Sequence, residues 1–467
     1  AAVAQGIVHL GVGAFHRAHQ AVYVDRCLAA GDSRWGITGV SLRSPDTRDA
    51  LAPQDGLYTL SVRDGSGERL TVVGSMLKLA VAPEDPAAVV ARMADPATRI
   101  VTLTVTEKAY LRNAAGDLDM AHPDLAHDLA HHSSPRTVHG LLASALEQRR
   151  AAGLPPFTVL CCDNLPSNGA TVRRLLLQFA SAREKSLARW LEDEAAFPST
   201  MVDRIVPATT DADRARISAA LGLEDAWPIA TEPFMQWVVE DNFTVGRPDW
   251  EPFGVEMTRD VRPYEEMKLR LLNGAHSGMA YLGMLAGRDY VSDAFADPSI
   301  RQVVDGLWAE AIPTLPADAG LDTAAYTAEL STRFANPALM HRLAQIGTDG
   351  SQKLPQRVFN TGRARMAAGQ GANCMALVIA AWIACCEARG GALPKRFFTD
   401  PLDDRLDALL AGRQPSAETA AAVFALAGQA IAGHDPLRDT VADSLDAIRN
   451  LGVPAAIALA LDRGFGG

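Results

Sequence analysis

The chain has 467 residues, with 44 lysines and arginines against 55 aspartates and glutamates and a formal net charge of −11. This acidity argues against nucleic-acid binding, which depends on clustered lysine and arginine. Single hydrophobic cores stop growing beyond about 250–300 residues, so the length predicts two or three domains. Hydrophobic residues make up 48% and charged residues 21%. That composition is typical of a globular protein and excludes a disordered or fibrous one.

No segment of the sequence has the features of a membrane span, a secretory leader or a disulfide framework. The longest wholly apolar run, 375–386, is far shorter than the ~20 residues that a spanning helix needs, so we predict a buried core helix there. No charged region followed by an apolar one is visible near the start of the sequence. The six cysteines include no C-x-x-C spacing. We therefore expect a cytoplasmic protein with buried, reduced thiols and without a structural zinc site.

The first half of the chain alternates β-branched apolar runs with amphipathic stretches. Predicted strands cover 7–10, 36–42, 99–105 and 157–162. Predicted helices cover 20–30, 86–94 and 137–152. A weaker signal at 70–73 predicts a hairpin-like excursion. Alternating strands and helices are typical of right-handed βαβ units around a parallel sheet, so the first half is predicted to be α/β.

The second half has a different composition. From Pro263 onward, alanine and leucine recur at helical spacing and β-branched runs nearly vanish. Predicted helices cover 264–286, 298–312, 322–334, 337–347, 371–389, 402–412 and 416–432. The change falls within the polar stretch 251–262. We therefore predict an α/β domain over 1–257 and a mostly α-helical domain over 258–467.

A Gly11-x-Gly13 turn follows the first predicted strand and precedes a helical pattern, which is the context of a dinucleotide-binding turn. Gly11 permits a tight turn, and Gly13 lets the backbone approach a pyrophosphate at a helix N-terminus. His16 replaces the third glycine of G-x-G-x-x-G, so a purely structural turn is an alternative. After the second strand, Asp46 suits the ribose of NAD, whereas Arg43 suits the 2′-phosphate of NADP. NAD is favoured, and both remain open.

Two histidines follow the turn, His16 and His19, at a spacing that suits two metal ligands on one helical face. No nearby carboxylate or cysteine completes a metal-binding set. Contact with the cofactor or with a domain interface is therefore the favoured interpretation.

The stretch 262–276 combines a helix start with three polar side chains. Pro263 suits the first turn of a helix. At about 100° per residue, Lys268, His276 and Asn273 lie at about 0°, 80° and 140° around the axis and share one arc. Exposed polar positions on an ordinary helix are the alternative. Oxidation of a secondary alcohol needs a base, an oxyanion donor and an orienting group. A desolvated lysine, whose pKa is lowered, an amide and an imidazole meet these needs without a metal.

The pattern Lys268-x4-Asn273-x2-His276 resembles the signature of the polyol-specific long-chain dehydrogenases/reductases, the mannitol dehydrogenase family. Five further segments match this family in order and spacing: 11–20, 104–107, 162–165, 201–207 and 232–241. The resemblance covers nearly the whole chain. It implies a zinc-independent NAD(P) oxidoreductase with an N-terminal Rossmann-like domain and a mostly helical C-terminal domain.

The resemblance also implies roles for individual residues. Lys268 is the expected general acid/base and His276 a substrate-orienting group. Asn164 and Asn273 are the expected oxyanion donors, and Glu107 is the carboxylate that relays the proton to solvent. Cofactor contacts are expected at Gly11, Gly13, Phe15, His16, Arg17 and Asp46.

The segments 201–207 and 232–241 combine a possible substrate contact with core positions. By the same resemblance Asp203 flanks the substrate site, with a domain-interface salt bridge to Arg204 or another cation as the alternative. Phe234 and Trp237 are expected to be core residues.

Several local segments of the sequence bear on the substrate. The segments 104–108, 267–270 and 349–357 resemble fructuronate reductases, whereas 42–44 and 225–228 resemble mannitol 2-dehydrogenases. A uronate carboxylate calls for a cationic fork, and Lys353 and Arg357 are the candidates. Arg270, at about 200° from Lys268, is expected to be solvated.

The leading prediction is therefore NAD-dependent interconversion of D-fructuronate and D-mannonate, with D-mannitol and D-fructose as the alternative pair. A non-catalytic nucleotide-binding sensor is the alternative of another class. The expected partner is a small sugar acid or polyol, with no nucleic acid and no membrane.

Overall fold

The computed structural model describes residues 2–113, 115–389, 391–393 and 398–464. The chain divides into two compact units, Ala1–Arg262 and Pro263–Gly467. This division falls a few residues beyond the boundary predicted between 257 and 258. The first unit is α/β and Rossmann-like and the second is mostly helical, so the predicted fold class is confirmed.

The strands of the described residues lie in the first unit. They are β1 (Gln5–Leu10), β2 (Gly36–Ser41), β3 (Tyr58–Asp64), β4 (Gly67–Val73), β5 (Met76–Val81), β6 (Ile100–Leu103), β7 (Thr158–Cys161), β8 (Thr200–Asp203), β9 (Ile229–Thr231), β10 (Gln236–Glu240) and β11 (Val255–Thr258). Five of them form a parallel sheet in the order β5-β2-β1-β6-β7. Two smaller sheets have the orders β11-β10-β8 and β4-β3-β9. β3 and β4 form an antiparallel hairpin, which confirms the excursion predicted at 70–73.

Alternate residues of the parallel strands supply two separate cores, because successive side chains of a strand point to opposite faces. Val8 and Leu10 of β1 join the core that includes Leu103 of β6. Ile7 of β1 joins the opposite core, which also contains Trp237 of β10. The small sheet β11-β10-β8 thus covers one face of the parallel sheet together with the helix Gln20–Ala29. A sheet in this place was not predicted from the sequence.

The helices of the first unit include the three predicted ones. They are Ala14–Ala18, Gln20–Ala29, Asp46–Leu51, Pro86–Ala94, Pro123–Ala130, Val138–Ala151, Asn168–Arg183, Lys185–Glu194 and Asp211–Leu221, with 3-10 turns at Ala52–Gln54, Glu107–Tyr110 and Glu251–Phe253. Side-chain caps fix two of the predicted starts. Asp85 accepts the N–H of Ala88 at 2.9 Å, and Thr137 accepts the N–H of Gly140 at 2.9 Å.

The second unit is built around two buried helices, Gly274–Leu285 and Asn373–Ala388. The other helices are Arg262–Met267, Val291–Ala296, Pro298–Ala311, Thr323–Phe334, Leu343–Gly347, Gly350–Leu354, Asn360–Ala367, Asp403–Leu410, Ser416–Leu426, Pro436–Leu451 and Val453–Gly464, with π-turns at Lys268–Asn273 and Pro355–Phe359 and a 3-10 turn at Ile312–Thr314. The apolar run 375–386 is a buried core helix, as predicted. No helix in the described part of the chain combines the length and apolarity that a bilayer crossing needs.

The helix predicted over 337–347 is wrong in its first half. Only Leu343–Gly347 is helical. The side chain of Asn336 accepts the N–H of Ala338 at 3.0 Å, a local turn that competes with helix formation. All six cysteines are buried free thiols, in agreement with the prediction.

Candidate functional site

The carboxyl ends of the parallel strands collect the predicted functional residues of the first unit. Chain order reverses between β1 and β6, which are neighbours in the sheet. Ligands of open parallel sheets bind outside the carboxyl ends of the strands at such a switch point. Gly11 follows β1, Asp46 follows β2, Glu107 follows β6 and Asn164 follows β7. The fold therefore brings these four residues to one edge of the sheet.

The two glycines of the turn are required for different reasons. Gly11 has a φ of 94°, and a Cβ at this position would lie 2.2 Å from the carbonyl oxygen of Thr104. Gly13 has a φ of −100°, and a Cβ there would meet only the carbonyl oxygen of Gly11, at 3.8 Å. Packing of the chain thus demands glycine at position 11 only. A glycine at position 13 is explained by a ligand that approaches the backbone, which fits the pyrophosphate of a dinucleotide.

Alanine substitutions at the two glycines are expected to have different effects. Gly11→Ala should lower the free energy of unfolding by about 2–4 kcal/mol, because it combines a left-handed backbone with a steric clash. Gly13→Ala should change that free energy by less than about 0.5 kcal/mol, while weakening NADH binding at least about tenfold through its added methyl group. Urea unfolding and NADH fluorescence titration measure the two effects. Equal losses of stability in both variants would contradict this distinction.

Behind the glycine turn, two histidine rings are stacked in the interior. The centroids of His9 and His16 lie 3.3 Å apart, with 9° between the ring planes. His9 makes hydrogen bonds with the hydroxyls of Thr102 at 2.7 Å and Thr104 at 2.9 Å. Burial lowers the pKa of His9 to about 3. Burial, together with His9, holds the pKa of His16 well below its usual value. Both rings are therefore neutral at pH 7 and support the turn from behind.

Neighbouring side chains of the first helical segment are engaged within the protein. The guanidinium of Arg17 is buried, donates to the carbonyl oxygen of Trp227 at 2.6 Å and lies over the ring of Tyr58. Phe15 stacks on His19, with ring centroids 5.0 Å apart. His19 Nε2 donates to the carbonyl oxygen of Gln236 at 2.7 Å, which ties this segment to β10. The Arg17 and His19 side chains thus anchor the turn.

The end of β2 presents both candidates for recognition of the adenosine ribose. Asp46 begins the helix Asp46–Leu51, is exposed, and accepts the hydroxyl hydrogen of Ser44 at 2.8 Å. Arg43 is also exposed. A carboxylate at this position fits the ribose hydroxyls of NAD.

Glu107 and Asn164 follow two neighbouring strands, β6 and the edge strand β7, and both are exposed. Glu107 begins the 3-10 turn Glu107–Tyr110 and its side chain is 70% exposed. It is ion-paired with Arg112 and lines a cavity of about 520 Å³. An exposed carboxylate of this kind can exchange protons with solvent. Asn164 follows β7 and is also exposed.

In the second unit, the predicted catalytic segment forms a π-turn within a continuous helix. The N–H of Gly274 donates to the carbonyl oxygen of Leu269, five residues earlier. The angles predicted around the helix axis for Lys268, Asn273 and His276 assume an α-helix throughout. This assumption is wrong over Lys268–Asn273. Since a π-turn holds more residues than the 3.6 of an α-turn, Asn273 stands closer to Lys268 around the axis than predicted. Single π-turns inside α-helices occur frequently at functional sites.

Lys268 and His276 project from this helix into a buried, basic environment. Lys268 is 9% exposed and His276 is 7% exposed. Burial holds the pKa of His276 well below its usual value, and four nearby basic side chains add to the effect: His341, Arg333, Arg357 and Lys268. The imidazole is therefore neutral at pH 7. Its Nε2 is buried and has no hydrogen-bond partner among the described residues, so it can bond to a substrate oxygen.

A second π-turn, Pro355–Phe359, positions Arg357 beside this group. Arg357 Nη1 donates to the hydroxyl of Ser277 at 3.2 Å, on the helix that carries His276. Lys353 is held elsewhere, since its ammonium donates to the carbonyl oxygen of Thr348 at 2.6 Å. Burial lowers the pKa of both side chains. The structure thus gives Arg357 a hydrogen bond to the helix of His276 and holds the Lys353 ammonium at the carbonyl oxygen of Thr348.

The expectation that Arg270 is solvated is wrong. Its side chain is 21% exposed and pairs with Glu266 at 3.0 Å. Its guanidinium also donates to the hydroxyl of Thr314 at 2.9 Å. The 3-10 turn Ile312–Thr314 covers this face of the helix.

Two basic residues near His276 were missed by the sequence reasoning. The His341 ring lies 5.3 Å from that of His276, centroid to centroid, and Arg333 is buried. Neither belongs to a motif. His341 lies in the loop that follows the Asn336 turn, and a loop gives no periodic signal. Arg333 lies on a predicted helix, whose periodicity does not distinguish it from other polar positions.

Asp203 lies at the end of β8, opposite Gln236 of β10, and is 5% exposed. Arg204 donates to the carbonyl oxygen of Glu232 at 2.8 Å. Trp237 is a core residue, as predicted, whereas Phe234, which precedes β10, is only half-buried.

Within the described ranges, no three His, Cys, Asp or Glu side chains are grouped as a metal site would require.

Comparisons with known proteins give a consistent result along the chain. The family model of the mannitol dehydrogenase Rossmann domain matches residues 5–252, and that of the mannitol dehydrogenase C-terminal domain matches residues 260–448. D-mannonate oxidoreductase of Escherichia coli is 45% identical over 384 residues, 81% of this chain and 79% of that protein. Mannitol 2-dehydrogenase of Pyrenophora tritici-repentis is 45% identical over 389 residues, 81% of this chain and 69% of that protein. The solved Pseudomonas fluorescens mannitol 2-dehydrogenase, a ternary complex with NAD and D-mannitol, is 37% identical with a TM-score of 0.85, covering 99% of this chain and 95% of that one.

Proposed function

The chain belongs to the mannitol dehydrogenase family, and from that premise we propose that it is an NAD-dependent oxidoreductase that interconverts D-fructuronate and D-mannonate. The observation that carries the choice of substrate is the environment of Arg357. Its side chain is half-buried, and no carboxylate among the described residues pairs with it. A partly desolvated charge without a counter-charge is costly, and a bound carboxylate would supply one. A hexuronate has such a carboxylate, whereas a hexitol has none.

The residues of the first unit suit the proposed cofactor. Gly13 leaves its backbone accessible and Asp46 offers an exposed carboxylate after β2. NAD, when bound, accepts the hydride that leaves the alcohol carbon or returns it to the ketone.

The proposed roles of the side chains follow from their chemistry. Lys268 accepts the hydroxyl proton during oxidation and donates it during reduction. The amides of Asn164 and Asn273 donate hydrogen bonds to the substrate oxygen as negative charge develops on it. The neutral His276 bonds to the same oxygen or its neighbour through Nε2. Glu107 passes the proton to solvent, for which its exposure suits it.

Oxidation of D-mannitol to D-fructose is the second candidate, favoured by the structural similarity to the mannitol 2-dehydrogenase complex. A neutral hexitol leaves Arg357 without a counter-charge, so we rank it second. A non-catalytic sensor is the third candidate. It ranks last because every expected catalytic position carries the expected residue type.

Steady-state kinetics with both substrate pairs, and with both NAD and NADP, tests the proposal. The wild-type protein is expected to turn over D-fructuronate and D-mannonate with NAD. Arg357→Gln should lower kcat/KM about 100-fold for the hexuronate pair, because a charge-assisted bond is lost. It should change kcat/KM for D-mannitol less than about threefold.

Arg363→Gln is the matched control, because Arg363 is a partly buried arginine of the second unit that pairs with Asp435 and lies outside the predicted catalytic segment. This variant is expected to keep the wild-type kcat/KM for D-fructuronate and D-mannonate and for D-mannitol. Rapid mannitol oxidation without any fructuronate turnover would overturn the substrate proposal. Equal losses on both pairs in Arg357→Gln would remove Arg357 from the carboxylate role.

A further inference from the structure

Backbone strain in the first unit is concentrated around the ends of β6 and β7. Among the described residues, five that are not glycine have a positive φ, and three of these lie next to the proposed catalytic positions. Thr106, with a φ of 71°, precedes Glu107, and Leu111, with a φ of 49°, ends the turn. Ser167, with a φ of 45°, lies three residues after Asn164. Such conformations cost about 1–3 kcal/mol each and persist only where the surroundings enforce them.

One buried carboxylate, that of Asp163, holds the strained turn after β6. Its two oxygens accept the N–H of Val105 at 3.0 Å and the N–H of Thr106 at 2.9 Å. The hydroxyl of Tyr110 donates to the same carboxylate at 2.5 Å. These donors lie on either side of Glu107. Asp163 therefore fixes the backbone from which the Glu107 side chain projects.

The main chain of Asp163 is fixed as well. Its carbonyl oxygen accepts the N–H of Leu165 at 2.9 Å and the side-chain amide of Asn168 at 3.0 Å. The same amide donates to the carbonyl oxygen of Thr200 at 2.9 Å, in β8. The peptide that joins Asp163 to Asn164 is thus held between the end of β7 and β8. Through its carboxylate, Asp163 also binds the segment that carries Glu107, so this one residue links the two segments.

We propose that Asp163 is a positioning residue of the reaction. It fixes the backbone positions of Asn164 and Glu107 relative to each other at the carboxyl edge of the sheet. The inference rests on the proposed function, because it uses the roles of these two residues. Asp163 itself is 9% exposed and acts through its neighbours rather than on the substrate. A misplacement of about 1 Å in a catalytic group can cost about 100-fold in rate.

Asp163→Asn is the direct test. The amide keeps one acceptor oxygen and has an NH2 group in place of the other, so one of the two backbone N–H groups, that of Val105 or that of Thr106, loses its acceptor. We expect kcat to fall about 100-fold with KM changed less than about threefold. The pH dependence of kcat should also change, since proton transfer through Glu107 is disturbed.

Asp128→Asn is the matched control in the same unit. Asp128 is fully buried and its carboxylate also accepts two backbone N–H groups, those of Arg136 and Thr137, both at 2.8 Å. A similar loss of stability is expected in both variants, but only Asp163→Asn should lose kcat per folded molecule and alter the pH profile. Parallel effects of the two substitutions on kcat, or full activity of folded Asp163→Asn, would overturn the proposal.

Tyr110→Phe tests the positioning role of Asp163 if Asp163→Asn does not fold. It removes one of the three donors to the carboxylate and leaves both backbone bonds. A several-fold fall in kcat with an unchanged KM supports the inference, and unchanged kcat overturns it. The rates are measured on whichever substrate the wild type oxidises. A wild type inactive on D-fructuronate, on D-mannonate and on every hexitol would instead disprove the proposed function.

Discussion

Replacement of Lys268 by alanine is expected to lower kcat about 1,000-fold, within the contribution of about 10²–10⁴ that a positioned acid–base group makes. Lys268 is 9% exposed and stands at the start of the π-turn that carries Asn273. Its removal leaves His276 and Arg357 in place. Binding of NADH, followed by fluorescence, should therefore change less than about threefold, while turnover is lost.

Two further variants separate a proton-transfer role for Lys268 from a purely electrostatic one. Lys268→Arg keeps the positive charge, but a guanidinium cannot be deprotonated in a protein, so this variant should remain inactive. Added methylamine should restore part of the activity of Lys268→Ala, with a rate that rises with pH as the free amine forms. Lys185→Ala, at an exposed lysine of the first unit, is the control and should retain full activity. Unchanged turnover of Lys268→Ala at every pH would refute the assignment.

The parallel sheet was predictable because its strands are β-branched runs that lie between amphipathic helices. The smaller sheet that covers it was not. β8 and β11 have four residues each, and such short strands show no clear alternation. Their place in the fold is decided by tertiary packing, chiefly by Trp237 and its neighbours.

The candidate site was predictable where residue type and short spacing carry the chemistry, as in the segment from Lys268 to His276. The geometry of this segment was not predictable. A π-turn is formed by the same types of residue as an α-helix, and the surrounding structure decides which of the two forms. The role of Asp163 shows the same limit. Its partners Val105 and Thr106 lie far away in the chain, and only the fold reveals the contact.

Acidification below about pH 6.5 is expected to destabilise the protein through its buried histidines. Burial lowers the pKa of His9 to about 3 and that of His139 and His341 to about 4, and it holds His16 and His276 well below their usual values. In the unfolded chain each titrates near the ordinary value of about 6.5. Below that pH the unfolded state binds protons that the folded state does not bind, so the free energy of unfolding falls as the pH decreases. The loss is about 1.4 kcal/mol per pH unit for each such histidine until its folded pKa is reached.

Urea unfolding between about pH 7.5 and 5 measures this slope, and one variant isolates a single histidine. His139 lies inside the helix Val138–Ala151, and its Nε2 donates to the carbonyl oxygen of Tyr110 at 3.1 Å. Glutamine at this position retains a donor and suits a helix, but it does not titrate. His139→Gln should therefore reduce the slope below pH 6.5 by about one proton. His434→Gln, at a side chain that is 76% exposed, is the control for the replacement of a histidine by glutamine. If His139→Gln kept the full wild-type slope, acid sensitivity would have to come from groups other than the buried histidines.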